Sequence, residues 1–217
     1  MPTLIIIDGI IANGKTTLIN QLIDNHSDWI PISEGVPLDN SEILSMTDPS
    51  HKEFIELFIQ TKVAMNYQLA MRDVNSNNIL IADRIFSAAK YWGKYYGKTH
   101  SDYVEFLICQ IRKLLKDVKI IYVNLVDSNT DKRVLMKNIR MRSRDFEQDY
   151  TPEKLNKLES IYNQSIQDLY GLDYEEFTFE VGQEFYNNSV EIIEAIIGHC
   201  IRLDNLRDTI TGLDEVD

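Results

Sequence analysis

The 217-residue chain is short of cysteine and of cationic side chains. Its two cysteines, Cys109 and Cys200, lie far apart and offer no metal-ligand spacing. Both fall in apolar helical patterns, so buried, reduced thiols and a reducing, cytoplasmic compartment are expected. Lysine and arginine number 22 against 34 acids, a net charge of −12. That balance argues against general binding to nucleic acid or to anionic membranes. Positive charge must then be local wherever a phosphate is held. No run is long and apolar enough to span a bilayer. The apolar N-terminal stretch lacks a basic segment before it, so no secretory signal is expected. With nine glycines and five prolines, and no repeat, linker or low-complexity segment, the chain reads as one domain.

What is present begins at residue 4. Leu4-Ile5-Ile6-Ile7-Asp8 is an apolar run of strand length, and Gly9-Ile10-Ile11-Ala12-Asn13-Gly14-Lys15-Thr16 follows it. The pattern is G-x-x-x-x-G-K-[ST] between a strand and a helix, the context in which a loop cradles phosphates. Gly9 and Gly14 permit backbone that a Cβ would obstruct, so successive N–H groups can turn toward an anion. The helix beginning near Lys15 adds its positive end. Lys15 is expected at the β- and γ-phosphates, and the Thr16 hydroxyl on Mg²⁺, with residues 9–17, Thr17 included, forming a nucleoside triphosphate site.

Strands and helices then alternate. A helix is predicted over Thr17–Asn25, an extended run over Trp29–Glu34, and a loop over 35–49. A long helix is predicted from His51 to about Asn75, either continuous or with one irregularity, and a buried strand over Ile79–Asp83. An aromatic-rich stretch covers Tyr91–Gly97. Further helices are expected at Ser101–Leu115, Asp131–Arg142, Thr151–Leu169 and Ser189–Ile201, and strands at Lys119–Val126 and Phe177–Val181. Residues 204–217 read as an acidic, frayed tail. The expected fold is α/β, a doubly wound, parallel five-stranded sheet flanked by helices, of the P-loop NTPase type. The domain is expected to span 1–203, with an arginine-rich lid at about 138–150.

Two acids end strands where open α/β sheets place ligands: Glu34 and Asp83. Glu34 suits a general base, and Asp83 a second metal ligand beside the fixed charge of Arg84. Between 132 and 144 stand Lys132, Arg133, Lys137, Arg140, Arg142 and Arg144 with no acid among them. In so acidic a chain this block reads as a lid over triphosphate; a nucleic-acid contact competes, without aromatic interleaving to support it. Glu147 beyond it could grip a sugar hydroxyl.

Together these segments resemble the deoxynucleoside kinase family, within the wider group that includes thymidylate kinases. Residues 7–17 resemble that family's I-E-G-N-I-x-x-G-K-T-T. Ser33-Glu34-Gly35-Val36 falls at its P-E-P-V, Phe58-Ile59-Gln60 at its F-Q, and Asp83-Arg84-Ile85 at its E-R-S. Residues 139–147 are similar to the lid, I-R-x-R-x-R-x-E-E, and Tyr150-Thr151-Pro152-Glu153 continues the likeness. The matches span roughly 4–170. The resemblance implies a homodimer that uses ATP and Mg²⁺ on a small-molecule acceptor. It makes Glu34 the base, with Arg84, Lys15, Arg142 and Arg144 catalytic and Arg140 at ATP. Gln60, Val63, Tyr67, Arg84, Ala89 and Glu147 would hold the acceptor, and Thr16 with Asp83 the metal. Ala89 leaves room for a pyrimidine 5-methyl, which favours a thymidine-like acceptor. The sequence departs from the family at Ser33, Gly35 and Ile85, and at Met46, where a sugar-contacting Tyr is expected.

Two acceptors stay open. A nucleoside monophosphate needs fixed cations, ideally a bidentate arginine, and no arginine precedes Arg72. Lys62 could substitute, which keeps a monophosphate kinase as the alternative. A P-loop switch or nucleic-acid-dependent ATPase is a third reading, and no guanine-reading N-K-x-D occurs. The nucleoside is favoured, because a hydroxyl acceptor needs a base and Glu34 without a neighbouring arginine suits that task.

Overall fold

A computed structural model describes residues 1–33, 49–95, 97, 102–142 and 149–214, excepting the side chains of 49–56, 183–186 and 203–214. Glu34, Arg144 and Glu147 lie outside the described residues. The chain divides into two compact units, Met1–Gly182 and Gln183–Asp217.

The first unit is built on five parallel strands: β1 (Thr3–Asp8), β2 (Ile30–Ile32), β3 (Ile79–Asp83), β4 (Lys119–Val126) and β5 (Tyr174–Glu180). Their order is β2-β3-β1-β4-β5, which puts β1 at the centre. Leu4, Ile5, Ile6 and Ile7 are fully buried, as a strand covered on both faces requires. Each such side chain contributes about 1.5–3 kcal/mol on leaving water. Registers pair Ile7 with Asp83 on one side and Asp8 with Asn124 on the other. The C-terminal ends of β1, β3 and β4 therefore lie together at one edge.

Among the described residues the helices of this unit are α1 (Lys15–Asn25), α2 (Pro49–Met71), α3 (Ala88–Tyr95), α4 (Asp102–Leu114), α5 (Arg133–Arg142) and α6 (Pro152–Tyr162). Helix α2 runs without interruption, and buries Gln60, Val63 and Tyr67 at one spacing of three and one of four. Thr151 caps α6, its hydroxyl accepting from the Lys154 N–H at 3.3 Å, with Pro152 and Glu153 in the first turn. After Tyr162 the backbone tightens into a 3₁₀ segment, Asn163–Leu169, where the expectation was one continuous helix. Asn163 and Ser165 are weak helix formers at that junction.

Three further expectations are corrected. Cys109 is exposed, because the buried stripe of α4 runs through Val104, Leu107, Ile108 and Ile111 and bypasses it. Strand β5 starts at Tyr174, three residues before the predicted Phe177. As an edge strand it shows Glu176 and Glu180 to solvent, so acids there do not break it. The second unit consists of α7 (Gln183–Asp214), which runs well past Ile201. Leu203, Leu206, Ile210 and Leu213 continue a helical period that the surrounding acids conceal.

Candidate active site

The loop between β1 and α1 is shaped by the residues the motif requires. Gly9 sits at φ +127°, and a Cβ on it would run into Asn13 Nδ2 and the Leu125 carbonyl. Gly14 caps α1 at φ 85°, again left-handed. Ile10, Ile11 and Ala12 are buried, and Thr16 and Thr17 exposed. Lys15 turns its ammonium into the loop, donating to the Ile10 carbonyl at 2.7 Å and to Asn13 Oδ1 at 2.9 Å. Asn13 in turn donates to the Leu125 carbonyl of β4 at 2.8 Å.

Asp8 and Arg84 flank that loop. Asp8 is fully buried; its Oδ1 accepts the Gly9 N–H at 2.8 Å and its Oδ2 accepts the Tyr122 hydroxyl at 2.9 Å. Burial raises its pKa above the ordinary carboxyl value, opposed by the Gly9 N–H and by the charges of Arg84 and Lys15. Arg84 holds a left-handed φ of 77°, a conformation that costs a non-glycine residue about 1–3 kcal/mol. Its N–H donates to the Ile7 carbonyl at 2.9 Å and its Nη1 to the Gly9 carbonyl at 2.8 Å. The guanidinium lies 5.8 Å from the ring centroids of both Trp92 and Tyr162.

The two expected metal ligands meet. Thr16 Oγ1 donates to Asp83 Oδ2 at 2.8 Å, across 67 residues of sequence. Asp83 Oδ1 is buried with no hydrogen-bond partner among the described residues. A hydroxyl and a carboxylate with one uncommitted oxygen suit Mg²⁺, which takes hard oxygens from one or two protein groups and the rest from phosphates and water.

Gln60, Val63 and Tyr67 are buried on the inner face of α2. Gln60 Nε2 donates to the Phe86 carbonyl at 2.9 Å, which assigns its amide orientation, since the flipped form would set oxygen against oxygen. Its Oε1 and the hydroxyls of Tyr67 and Ser87 are buried without hydrogen-bond partners among the described residues. The Tyr67 ring meets Phe86 edge-on at 6.1 Å, and burial raises its phenol pKa. Ala89 is buried at the start of α3. Lys62, two residues from Gln60 and so on the opposite side of the helix, is exposed.

The basic block separates into parts. Lys132 is buried, its ammonium 2.5 Å from Glu159 Oε2 and bonded to the Asp127 carbonyl, so it anchors the start of α5. Arg133 pairs with Asp131. Asn138 Nδ2 donates to the Ala12 carbonyl at 2.8 Å, tying α5 to the phosphate loop. Arg140 and Arg142 stand in the last turn of that helix. Arg133, Lys137 and Arg140, with Pro152, border a cleft of about 510 Å³. Sequence reasoning missed Tyr122 and Asn138. A hydroxyl inside an apolar strand was the available signal for the first, because a buried phenol needs a partner; nothing local marked the second.

Two solved structures superpose on the chain over most of their length. A deoxyadenosine kinase from M. mycoides, solved with products dCMP and a flexible dCDP, is 14% identical with a TM-score of 0.64. That match covers 91% of this chain and all of the other. The YorR protein from Bacillus subtilis, solved in complex with phosphorylated GDP, is 18% identical with a TM-score of 0.53, covering 90% of this chain and 96% of that one. The chain has an α/β P-loop NTPase fold. At these identities the likeness is one of fold. No protein-family profile and no curated protein sequence matches the chain. Among the described residues no helix is long and apolar enough to cross a membrane.

Proposed function

We propose that this chain is a nucleoside or nucleotide kinase, and within that class a deoxynucleoside kinase. It would transfer the γ-phosphoryl of ATP to the 5′-hydroxyl of a deoxynucleoside. The observation that carries this reading is the Thr16–Asp83 hydrogen bond, which joins the phosphate loop to the end of β3 beside the buried Arg84. Fold and motif order support it from two sides: the sequence resembles deoxynucleoside kinases, and the fold is shared with a deoxyadenosine kinase. Mg²⁺, when bound, neutralises charge on the phosphates. Lys15, Arg142 and Arg144 stabilise the transferring group, and Arg140 contacts ATP. Thr16 and Asp83 hold the metal. Arg84 stabilises Glu34 and the acceptor oxygen, and Glu34 takes the hydroxyl proton.

The acceptor reading draws on α2. With Nε2 committed to Phe86, Gln60 offers a base its Oε1, an acceptor suited to a ring N–H such as that of a thymine-like pyrimidine. Ala89 leaves room beside the ring, and Val63, Tyr67 and Glu147 complete the acceptor set. The exposed placement of Lys62 favours the nucleoside over the monophosphate, because it stands on the far side of the helix from Gln60. A homodimer accords with the exposed Met65 and Leu69 on α2 and Tyr103 and Phe106 on α4.

The test is an acceptor screen with Mg·ATP, each deoxynucleoside and each deoxynucleoside monophosphate, reading the phosphorylated products. Deoxynucleoside monophosphate formation from a nucleoside is the expected result. Diphosphate formed from a monophosphate alone would establish the alternative kinase. ATP hydrolysis stimulated by DNA or RNA, with no phosphorylated nucleoside, would overturn both.

A further inference from the structure

Tyr122 lies mid-strand in β4 between Ile121 and Val123, and is 1% exposed. A phenol hydroxyl in such surroundings is costly unless it is hydrogen-bonded. Its one described acceptor is Asp8 Oδ2, at 2.9 Å, and the other oxygen of that carboxylate holds the Gly9 N–H at 2.8 Å. The Gly9 carbonyl is held by Arg84 Nη1 at 2.8 Å. Gly9 is thus gripped at both its amide and its carbonyl, at the point where the loop leaves the sheet and where no Cβ fits.

Asp8 is surrounded by competing partners. Lys15 from α1 and Arg84 from the end of β3 attract it, and the phenols of Tyr67 on α2 and Tyr162 at the end of α6 lie within its field. A carboxylate drawn toward two cations would rotate away from the Gly9 N–H unless its second oxygen were held in place. Tyr122 supplies that hold. From this geometry we propose that Tyr122 is a positioning residue for the phosphate loop, acting through Asp8 on the Gly9 amide. The proposal rests on the reading of residues 9–16 as a triphosphate loop, and not on the identity of the acceptor.

The experiment compares Tyr122→Phe with the unaltered protein by Mg·ATP titration calorimetry, by the ¹H–¹⁵N signal of Gly9, and by steady-state kinetics. Loss of one hydrogen bond to a charged group predicts Mg·ATP binding about ten- to a hundredfold weaker. The KM for ATP rises to match while the KM for the acceptor stays within about twofold. The Gly9 amide signal shifts or broadens in the absence of nucleotide. In an Asp8→Ala background the same change adds no further loss, because the route through Asp8 is gone. Unchanged ATP affinity with an unmoved Gly9 signal overturns the proposal, and so does an equal loss in the Asp8→Ala background. Should Asp8→Ala not fold, the Gly9 signal in Tyr122→Phe decides alone. Normal Mg·ATP binding without phosphoryl transfer to any nucleoside would overturn the kinase reading, while the Gly9 result would still decide this one.

Discussion

Asn138 donates its side-chain amide to the Ala12 carbonyl at 2.8 Å, joining the helix that bears Arg140 and Arg142 to the middle of the phosphate loop. Ala12 itself holds φ 61°, a left-handed backbone for a residue other than glycine. Removing the amide with Asn138→Ala leaves that carbonyl without this donor and loosens the helix from the loop. The expected effect is a rise of about fivefold in the KM for ATP, in line with roughly 1 kcal/mol for a hydrogen bond, with the acceptor KM unmoved. Steady-state kinetics with each substrate varied in turn decide it; equal changes in both KM values would refute the link.

Asp83→Asn replaces a carboxylate that bonds Thr16 by a neutral amide. If Thr16 and Asp83 hold Mg²⁺, the metal concentration giving half-maximal activity rises by tenfold or more while the fold survives. The order of magnitude follows from losing a charged hard-oxygen ligand. A magnesium titration of activity, with a thermal melt as control, measures this. An unaltered magnesium dependence would remove Asp83 from the metal site.

Gly9→Ala tests steric necessity. The added methyl meets Asn13 Nδ2 and the Leu125 carbonyl, at a φ that residues with a Cβ rarely adopt. Strain and overpacking together predict a loss of about 2–4 kcal/mol in stability, readable by chemical denaturation. A variant as stable as the parent would mean that the loop can take another path.

The raised pKa of Asp8 has a sign that can be checked. Its carboxyl binds a proton more tightly in the folded protein than at the ordinary value of 3.8, because burial penalises the charge. The folded state then holds more protons than the unfolded one between 3.8 and the raised value, so this group costs stability as pH rises through that window. Asp8→Asn removes the cost. Its advantage over the parent should be near zero below pH 3.8 and grow with pH, as followed by urea denaturation at a series of pH values. An advantage independent of pH would contradict the assignment.

Gln60→Leu leaves the Phe86 carbonyl without its donor. The expected cost is about 1–3 kcal/mol of stability, together with a change in the ranking of acceptor bases. The acceptor screen repeated on this variant gives that ranking; an unchanged order would take Gln60 out of base recognition.

Sequence and structure agree best where the chain is buried on both faces. Ile79–Asp83 and Lys119–Val126 were bounded correctly because continuous apolar runs between turn residues have few other fates. The loop at 9–16 was legible for a different reason: each of its constrained positions has a local steric or chemical cause. What stayed hidden depends on neighbours remote in sequence. Tyr122 reaches Asp8 because β4 lies beside β1 in a register pairing Asp8 with Asn124, and 114 residues separate the bonded pair. The same holds for Asn138 and Ala12. The exposure of Cys109 is not legible in the sequence, because a helical period tells which residues share a face, and a single residue between two apolar rows can belong to neither.

The phosphate loop takes its shape from the sheet, since Tyr122 and the Leu125 carbonyl of β4 hold Asp8 and Asn13. A loop suspended in this way has little freedom to melt by itself, unlike one that merely bridges two elements across solvent. Its competence should vanish in the same cooperative step as the separation of β1 from β4. A fluorescent ATP analogue would thus serve as a probe of global unfolding, its release tracing the denaturation curve of the central strands.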